Sequence, residues 1–410
     1  MQSLMSQNWT DLWRPGYGPL LRDRITVQRV DEMVSQLTRR RVWPDDESIY
    51  RVLAAADRLT SAAMWLVLHM VYARRVDVTG APLGAQDFKH EPVGRIADAL
   101  QIVPAFIGYL TANVLSGRTR SWVIDSECCV AAIEAVNTLT GDVSCGPMGR
   151  YNNTSADLSS LVADFSSCAF ATDERPPTAV GGSAAADTAG AGSDRGEMKG
   201  LTDLQDVHMP PRGESLVALL GDGASDGQRA LDGSPRRWRA EDCGLITPIM
   251  ILNTDGPGAR NAVAESGKAA CLDERLRTCG FDPITIDGQD PAAFAWAILE
   301  AEDRLKRFTR NPDRVYPAPM PYVVGSHLSF GLAGGEPSHT RNLLLGAVAR
   351  RDGACRRRFN AAAAEFFVPA AELAAALGVL QTHALQGRPP ESRRASAVRE
   401  SSAKILPGPS

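Results

Sequence analysis

Two apolar runs of this sequence end in residues that could bind a metal ion. In the stretch SLVALLGDGASDG, Asp222 follows an apolar run and lies between Gly221 and Gly223. In the stretch ITPIMILNTDG, a similar run ends at Asn253 and Asp255. Carboxylate, amide and carbonyl oxygens suit Mg²⁺ or Ca²⁺, and Mg²⁺ usually completes its coordination with phosphate oxygens and water. Together the two stretches predict a site for a metal-bridged diphosphate.

The spacing of these residues is more informative than the Gly-Asp-Gly triplet. The triplet is a common turn composition, and with Gly227 it gives G-x-G-x-x-x-G rather than the dinucleotide pattern G-x-G-x-x-G. Asn253 follows Asp222 by 31 residues at the end of the next apolar run. Ends of adjacent parallel strands lie about 5 Å apart, at the edge where ligands bind. We therefore expect Asp222 and Asn253 to converge on one ion, with Asp226 shaping the loop.

The second half of the sequence contains the strands that must position this site. From residue 215 the chain alternates short apolar runs with helical stretches: SLVALL, ITPIMIL, AVAESGKAACLDERLRTCG, PITID, PAAFAWAILEAEDRLKRF and PYVVG. Such alternation favours βαβ units in a parallel sheet. Residues 45–75 and 94–116 carry apolar residues at helical spacing and favour packed helices. The predicted fold class is α/β, a three-layer parallel sheet with an α-rich N-terminal part.

Composition divides the chain into four zones. We predict a helical part over 1–170, a Gly/Ala-rich loop over 171–200, an α/β diphosphate-binding part over 201–385 and a disordered tail over 386–410. The loop has almost no large apolar side chain, and the tail is rich in Pro, Ser and Arg.

The overall composition is that of an ordinary globular protein. Of the 410 residues, 44% are hydrophobic and 22% charged, and the net charge is −4, which gives no footprint for nucleic acid or membrane. No run of 18 apolar residues is present, and the first residues lack an export pattern, so we expect a cytoplasmic protein. The eight cysteines form no C-x-x-C pair, which favours reduced thiols.

The metal motif resembles the thiamine diphosphate signature of the transketolase superfamily, and in detail the N-terminal domain of phosphoketolases. The resemblance implies a fold of the thiamine diphosphate-binding, PP type. It also implies that Asp222, Asn253 and the main-chain carbonyl of Asp255 hold Mg²⁺ against the diphosphate. Family members have a further acid four residues after the motif's aspartate, and this chain has Asp226 there.

Segments around the motif extend the resemblance over about residues 20 to 385. RGEMKGLTDLQDVHM looks like the helix that leads into the Gly-Asp-Gly strand, CGFDPITIDGQDPAAF like the segment after the asparagine, and SECCVAAIEAVNTLTG like an early helix. PMPYVVGSHLSFGLAGGEPSHTRNLLL resembles a late strand and a loop with a substrate-site histidine, here His339. On the same stretch His327 and Arg341 are candidates for binding substrate, Arg341 through a bidentate contact to phosphate.

The chain also departs from the family pattern. Phosphoketolases have Gly-His-Gly at the start of the early helix, where this chain reads Glu127, Cys128 and Cys129. Shorter relatives labelled as xylulose 5-phosphate 3-epimerases have a Gly-His-Thr-Gly-Gly run where this chain has Arg95 to Asp98. The resemblance does not extend to the domain that binds the aminopyrimidine ring and supplies the activating glutamate. A homodimer, or a complex with a pyrimidine-domain subunit, is therefore expected.

Three functions remain open at this stage. The first is a thiamine diphosphate and Mg²⁺ enzyme, a lyase or transferase that cleaves or transfers two-carbon units of ketose phosphates, with His339 and Glu127 as catalytic residues. The second is a sugar-phosphate epimerase on the same scaffold, because proton abstraction next to a carbonyl needs an acid-base pair. The third is a catalytically degenerate regulatory or partner subunit, which the missing histidines favour.

Overall fold

The computed structural model describes residues 8–92, 96–124, 130–140, 151–167, 210–221, 238–253, 265–327 and 348–381. Six of the described helices lie in the first 170 residues: α1 (Trp9–Trp13), α2 (Arg24–Arg39), α3 (Asp46–Tyr72), α4 (Ile96–Ser116), α5 (Val130–Thr140) and α6 (Ser155–Ser167). Four more follow: α7 (Glu265–Thr278), α8 (Pro291–Arg310), α9 (Gly353–Glu365) and α10 (Ala370–Gln381). A short 3-10 turn spans Ala85–Asp87.

Among the described residues, five strands form one parallel sheet in the order β1-β2-β3-β5-β4. Their bounds are β1 (Ser121–Ile124), β2 (Ser215–Gly221), β3 (Leu245–Asn253), β4 (Phe281–Asp287) and β5 (Met320–His327). The last strand along the chain therefore lies between the two strands that precede it. The chain must cross over the sheet between every pair of successive strands, since neighbouring strands all run in one direction.

Side chains alternate between two cores on opposite faces of the sheet. Val217, Leu219, Ile249 and Val323 pack in the larger core with residues of α3, α4 and α8. The intervening residues pack in a second core with Trp238 and with Leu272 and Leu276 of α7; they are Leu216, Ala218, Leu220, Met250, Tyr322 and Val324. A strand that is apolar on both faces must be covered on both faces, as in other parallel sheets. The predicted three-layer α/β architecture is confirmed.

The longest helix, α3, begins at a side-chain cap and is buried along most of its length. Asp45 Oδ1 accepts a hydrogen bond of 2.7 Å from the main-chain N–H of Ser48, which satisfies one of the free donors of the first turn. His69 near its end is 3% exposed and packs in the core. The helix lies in the middle of the larger core rather than at the surface.

The apolar helix α4 also lies inside the protein. Its stretch Ala99–Ser116 is long and apolar enough to cross a membrane by composition, but 83% of it is buried within the protein. The helix packs against α3 and α8. Its apolar side chains are thus used in the core, which the sequence pattern of a fully buried helix also predicts.

Helix α4 approaches the start of α8 unusually closely. A Cβ placed on Gly108 would lie 2.4 Å from the Cβ of Phe294 and 2.8 Å from the main-chain oxygen of Pro291. Phe294 is fully buried, and on its other side the ring lies against Gly325 of β5, where a Cβ would come within 3.0 Å of it. The absence of side chains at Gly108 and Gly325 allows Phe294 to connect α4 to the end of β5.

The boundaries of most predicted elements agree with the structure. The predicted helices at 45–75 and 94–116 correspond to α3 and α4, and the apolar runs from residue 215 correspond to β2, β3, β4 and β5. Strand β1 was not predicted from the sequence. It lies in the helix-rich part of the chain and forms one edge of the described sheet. The predicted loop at 171–200 and tail at 386–410 lie outside the described residues, so the four-zone division stays a prediction.

Candidate functional site

The carboxyl ends of the strands form a single edge that carries several of the predicted residues. Along this edge β2 ends at Gly221, β3 at Asn253, β5 at His327 and β4 at Asp287. Asn253 is the register partner of His327, and Gly221 is the partner of Ile251, two residues before Asn253. The structure therefore brings Gly221, Asn253 and His327 to neighbouring strand ends, as a ligand site of a parallel α/β sheet requires.

The residues just before the ends of β3 and β5 pack in the larger core. Ile249, Ile251 and Val323 lie there, on the face of the sheet covered by α8. This core therefore extends to the edge of the sheet at which β3 and β5 end.

All the other predicted site residues lie outside the described part of the chain. These are Glu127, Asp222, Gly223, Asp226, Asp255, His339 and Arg341. Their predicted roles in metal binding, diphosphate binding, substrate binding and catalysis stay predictions. Within the described ranges, no group of three His, Cys, Asp or Glu side chains is arranged to hold a metal ion.

The described part of the edge fits a metal-bound diphosphate in two respects. Gly221 ends β2 without a Cβ, which leaves space for a ligand to approach the main chain. Asn253 ends the neighbouring strand, and asparagine is a residue type whose amide oxygen is a suitable ligand for Mg²⁺. Asp222 follows Gly221 directly in sequence, so the carboxylate of the proposed donor set belongs to the same connection.

A buried charge cluster that no sequence pattern predicted adjoins the end of β4. Arg22, just before α2, donates from Nη2 to Asp57 Oδ1 of α3 at 2.5 Å, and its Nε lies 3.1 Å from Asp290 Oδ2. The three side chains are at most 2% exposed. The guanidinium also donates to the main-chain oxygen of Trp13 and lies 4.1 Å from the centre of its ring. The cluster therefore joins the starts of α2 and α8 to the middle of α3.

Asp290 connects this cluster to the strand edge. It is the N-cap of α8, and its Oδ1 accepts a 2.8 Å hydrogen bond from the main-chain N–H of Ala292. Asp287, the last residue of β4, accepts from the main-chain N–H of Gln289 at 2.9 Å. Burial raises the pKa of Asp287 to about 6, with the nearby Asp290 as a further cause, against the hydrogen bond from Gln289. Only the Asp-Pro pair at the helix start signalled any of this in the sequence.

A second buried ion pair lies at the opposite, amino-end edge of the sheet. Arg120, the residue before β1, contacts Glu302 of α8 through Nε–Oε1 at 2.6 Å and Nη2–Oε2 at 3.1 Å. Asn113 Oδ1 accepts from Arg120 Nη1 at 2.9 Å, and Lys306 Nζ lies 3.1 Å from Glu302 Oε2. This network is remote from the strand ends at Asn253 and His327, so it serves stability rather than ligand binding.

Comparison with known proteins gives two results. No family model matches the chain, and no curated protein matches it. Among solved structures, it is similar to the transketolase from Campylobacter jejuni subsp. jejuni NCTC 11168 at 13% identity and a TM-score of 0.39, over 85% of this chain and 49% of that one. The transketolase from Leishmania mexicana matches at 12% identity and a TM-score of 0.40, over 87% of this chain and 47% of that one.

The chain thus spans about half the length of either transketolase. Similarity at this level, with TM-scores below 0.5, carries no information on activity. The parallel α/β architecture is established by the strand order and register of the chain itself.

Proposed function

We propose that this protein binds thiamine diphosphate and Mg²⁺ and cleaves or transfers two-carbon units of ketose phosphates, in the manner of phosphoketolases and transketolases. The observation that supports this proposal is the parallel register of β2, β3 and β5. Asn253 is the register partner of His327 on β5, and Gly221 ends the strand on the other side of β3. That order is what the motif G-D-G and the later asparagine need if they are to share one ion.

In this proposal the side chains of Asp222 and Asn253 and the main-chain carbonyl of Asp255 hold the metal ion. Gly221 and Gly223 leave room for the diphosphate, and Asp226 shapes the loop between them and the next helix. When bound, thiamine diphosphate supplies the electron sink that cleavage of a carbon–carbon bond next to a carbonyl requires. This chain's own residues bind and orient the diphosphate and fix the position of the ion.

The same proposal assigns the substrate side of the site. His327, which ends β5 as the register partner of Asn253, is assigned to the sugar phosphate. Arg341 binds the phosphate group, and His339 and Glu127 move protons on the substrate, where general acid-base groups contribute about 10² to 10⁴-fold. The aminopyrimidine side and its activating glutamate come from a second protomer or a partner subunit, and the protein acts in the cytoplasm.

Binding of the two cofactors by the full chain tests the proposal directly. We expect thiamine diphosphate with Mg²⁺ to raise the melting temperature, because a ligand at a hundredfold excess over its Kd stabilises the folded state by about 2.7 kcal/mol. Asp222→Ala should abolish the shift. Asp242→Ala, an exposed acid near the opposite end of β3, should retain it. A wild-type protein that shows no shift and no heat of binding with both cofactors would overturn the assignment.

A further inference from the structure

The charges of the buried cluster around Arg22 do not balance. Asp57 and Asp290 face the same guanidinium, and all three side chains are at most 2% exposed. With both acids ionised, two negative charges would share one positive charge away from water. Leaving a buried charge without compensation costs several kcal/mol, which a group usually avoids by taking up a proton.

The hydrogen bonds indicate which of the two acids carries the excess negative charge when both are ionised. Asp57 Oδ1 accepts from Arg22 Nη2, and the Oδ1 atom of Asp290 accepts from the main chain of α8. Asp290 Oδ2 is buried and accepts no hydrogen bond from any described residue, although Arg22 Nε lies 3.1 Å away. Arg22 Nε likewise donates to no described partner, so this contact is close but poorly aligned. Hydrogen bonds to a carboxylate favour its ionised form, and Asp290 Oδ2 receives none from the described residues.

We propose that the Arg22–Asp57–Asp290 cluster is a proton-binding site, in which Asp290 stays protonated at neutral pH and the cluster carries no net charge. The carboxyl group still caps α8 through Oδ1, because an N-cap needs only an acceptor oxygen. The proton removes the repulsion between the two acids and leaves Arg22 paired with Asp57. The inference concerns this cluster alone and holds whether or not the chain binds thiamine diphosphate.

The charged groups around the cluster raise and lower the pKa values of its two acids. Burial is the largest cause that raises the pKa of Asp290, Arg22 opposes it, and Asp23 at the start of α2 adds to the rise. For Asp57, burial raises the pKa to about 6 against the attraction of Arg22 and of Arg58 on its own helix. Asp287 at the end of β4 adds a further acid that acts on Arg22. The summed environment thus keeps acid groups protonated above their usual pH range.

Infrared spectroscopy of the folded protein tests the proposal without unfolding it. We expect the carbonyl stretch of a protonated carboxyl group in wild type at pH 7.5, and its loss in Asp290→Asn. Asp57→Asn provides an independent variant, because the single remaining acid then balances Arg22 and no longer needs a proton. A difference spectrum that shows no carboxyl band in wild type, or a band that persists in both variants, overturns the proposal.

The pH dependence of unfolding provides the second test, with a matched N-cap as control. An acid with a raised folded-state pKa makes the fold less stable as pH rises from about 4, by up to tenfold in the unfolding constant per pH unit. We expect the unfolding constant to rise with pH in wild type relative to Asp290→Asn, a variant that keeps an acceptor oxygen for the cap. Asp352 caps α9 at an exposed position, where main-chain hydrogen bonds from Cys355 and Ala354 lower its pKa. The stability that Asp352 adds over asparagine should instead be lost as pH falls below about 4, so Asp352→Asn should run parallel to wild type above that pH. Parallel curves for Asp290→Asn and wild type would contradict the proposal.

Discussion

Asn253 and His327 are register partners at the ends of two adjacent parallel strands. The proposed function gives them different tasks, since Asn253 holds the metal ion and His327 faces the sugar phosphate. Asn253→Ala should weaken binding of thiamine diphosphate with Mg²⁺ by about tenfold or more, or ~1.4 kcal/mol. His327→Ala should retain cofactor binding and weaken only the sugar phosphate. Isothermal titration of each ligand measures both, and equal losses of cofactor affinity in the two variants would contradict this division.

The ion pair between Arg120 and Glu302 should be one of the most sensitive sites for stability. Because both side chains are at most 2% exposed, Glu302→Gln leaves the Arg120 charge buried without a carboxylate. We expect a loss of about 3–5 kcal/mol in the free energy of unfolding, measured with urea. Glu300→Gln on the same helix breaks more exposed pairs with Arg304 and Arg307 and should cost at most about 1 kcal/mol. Equal losses would show that burial does not govern the strength of these pairs.

The same pair has a defined pH dependence. Burial alone would raise the pKa of Glu302, but the attraction and hydrogen bonds of Arg120 and then Lys306 lower it to about 2. A carboxylate with a lowered folded-state pKa contributes stability above its ordinary pKa and loses that contribution as pH falls. The difference in stability between wild type and Glu302→Gln should therefore shrink as pH falls from about 4.5 to about 2. Denaturant titrations at several pH values measure it, and a constant difference would exclude the ionised pair.

His69 should make the fold sensitive to mild acid. Burial lowers the pKa of His69 to about 4, against the hydrogen bond of its Nδ1 to the main-chain oxygen of Trp65. In this pH range the unfolded chain binds a proton on His69 and the folded chain does not. The free energy of unfolding therefore falls as pH drops from about 6.5 to about 4, by up to ~1.4 kcal/mol per pH unit. His69→Gln should remove this contribution. An NMR titration in which the His69 ring becomes charged near pH 6.5 would contradict the prediction.

The contact between Gly108 and Phe294 predicts a steric effect. Gly108→Ala places a methyl group 2.4 Å from the Phe294 Cβ and should cost about 1–3 kcal/mol through displacement of α4 from α8. Gly378→Ala in α10 is the matched control, because no atom lies within 4 Å of the added Cβ. There the better helix propensity of alanine should increase stability by about 0.5–1 kcal/mol. Thermal unfolding compares the two, and a neutral Gly108→Ala would mean that the helices separate without cost.

Local patterns in the sequence predicted four of the five described strands and the helices α3, α4, α7 and α8. Residues 215–221 and 245–253 were predictable as strands because they are short apolar runs bounded by turn residues, and α8 because its apolar face repeats at helical spacing. The four residues of β1 follow directly after the long apolar helix α4, where so short a run gives no periodicity of its own. A strand of this kind is recognised only by its pairing with β2.

Long-range contacts account for what the sequence could not predict. Asp222 and Asn253 were candidates because residue types that bind metal ions follow two successive apolar runs. The cluster of Arg22, Asp57 and Asp290 joins residues far apart in sequence, and each alone is an ordinary charged residue of a helix or its start. No spacing rule connects them, so only the packing of three helices shows that they share one buried volume.

The position of β5 between β3 and β4 imposes an order on assembly. During synthesis β4 and α8 emerge before β5, yet β4 has no neighbour in the sheet until β5 is in place. Any nascent or truncated chain that stops before residue 320 therefore exposes an unpaired apolar strand, a known risk for aggregation. The described sheet cannot be completed before residues 320 to 327 are made, and the strand end bearing His327 is the last one added to the edge.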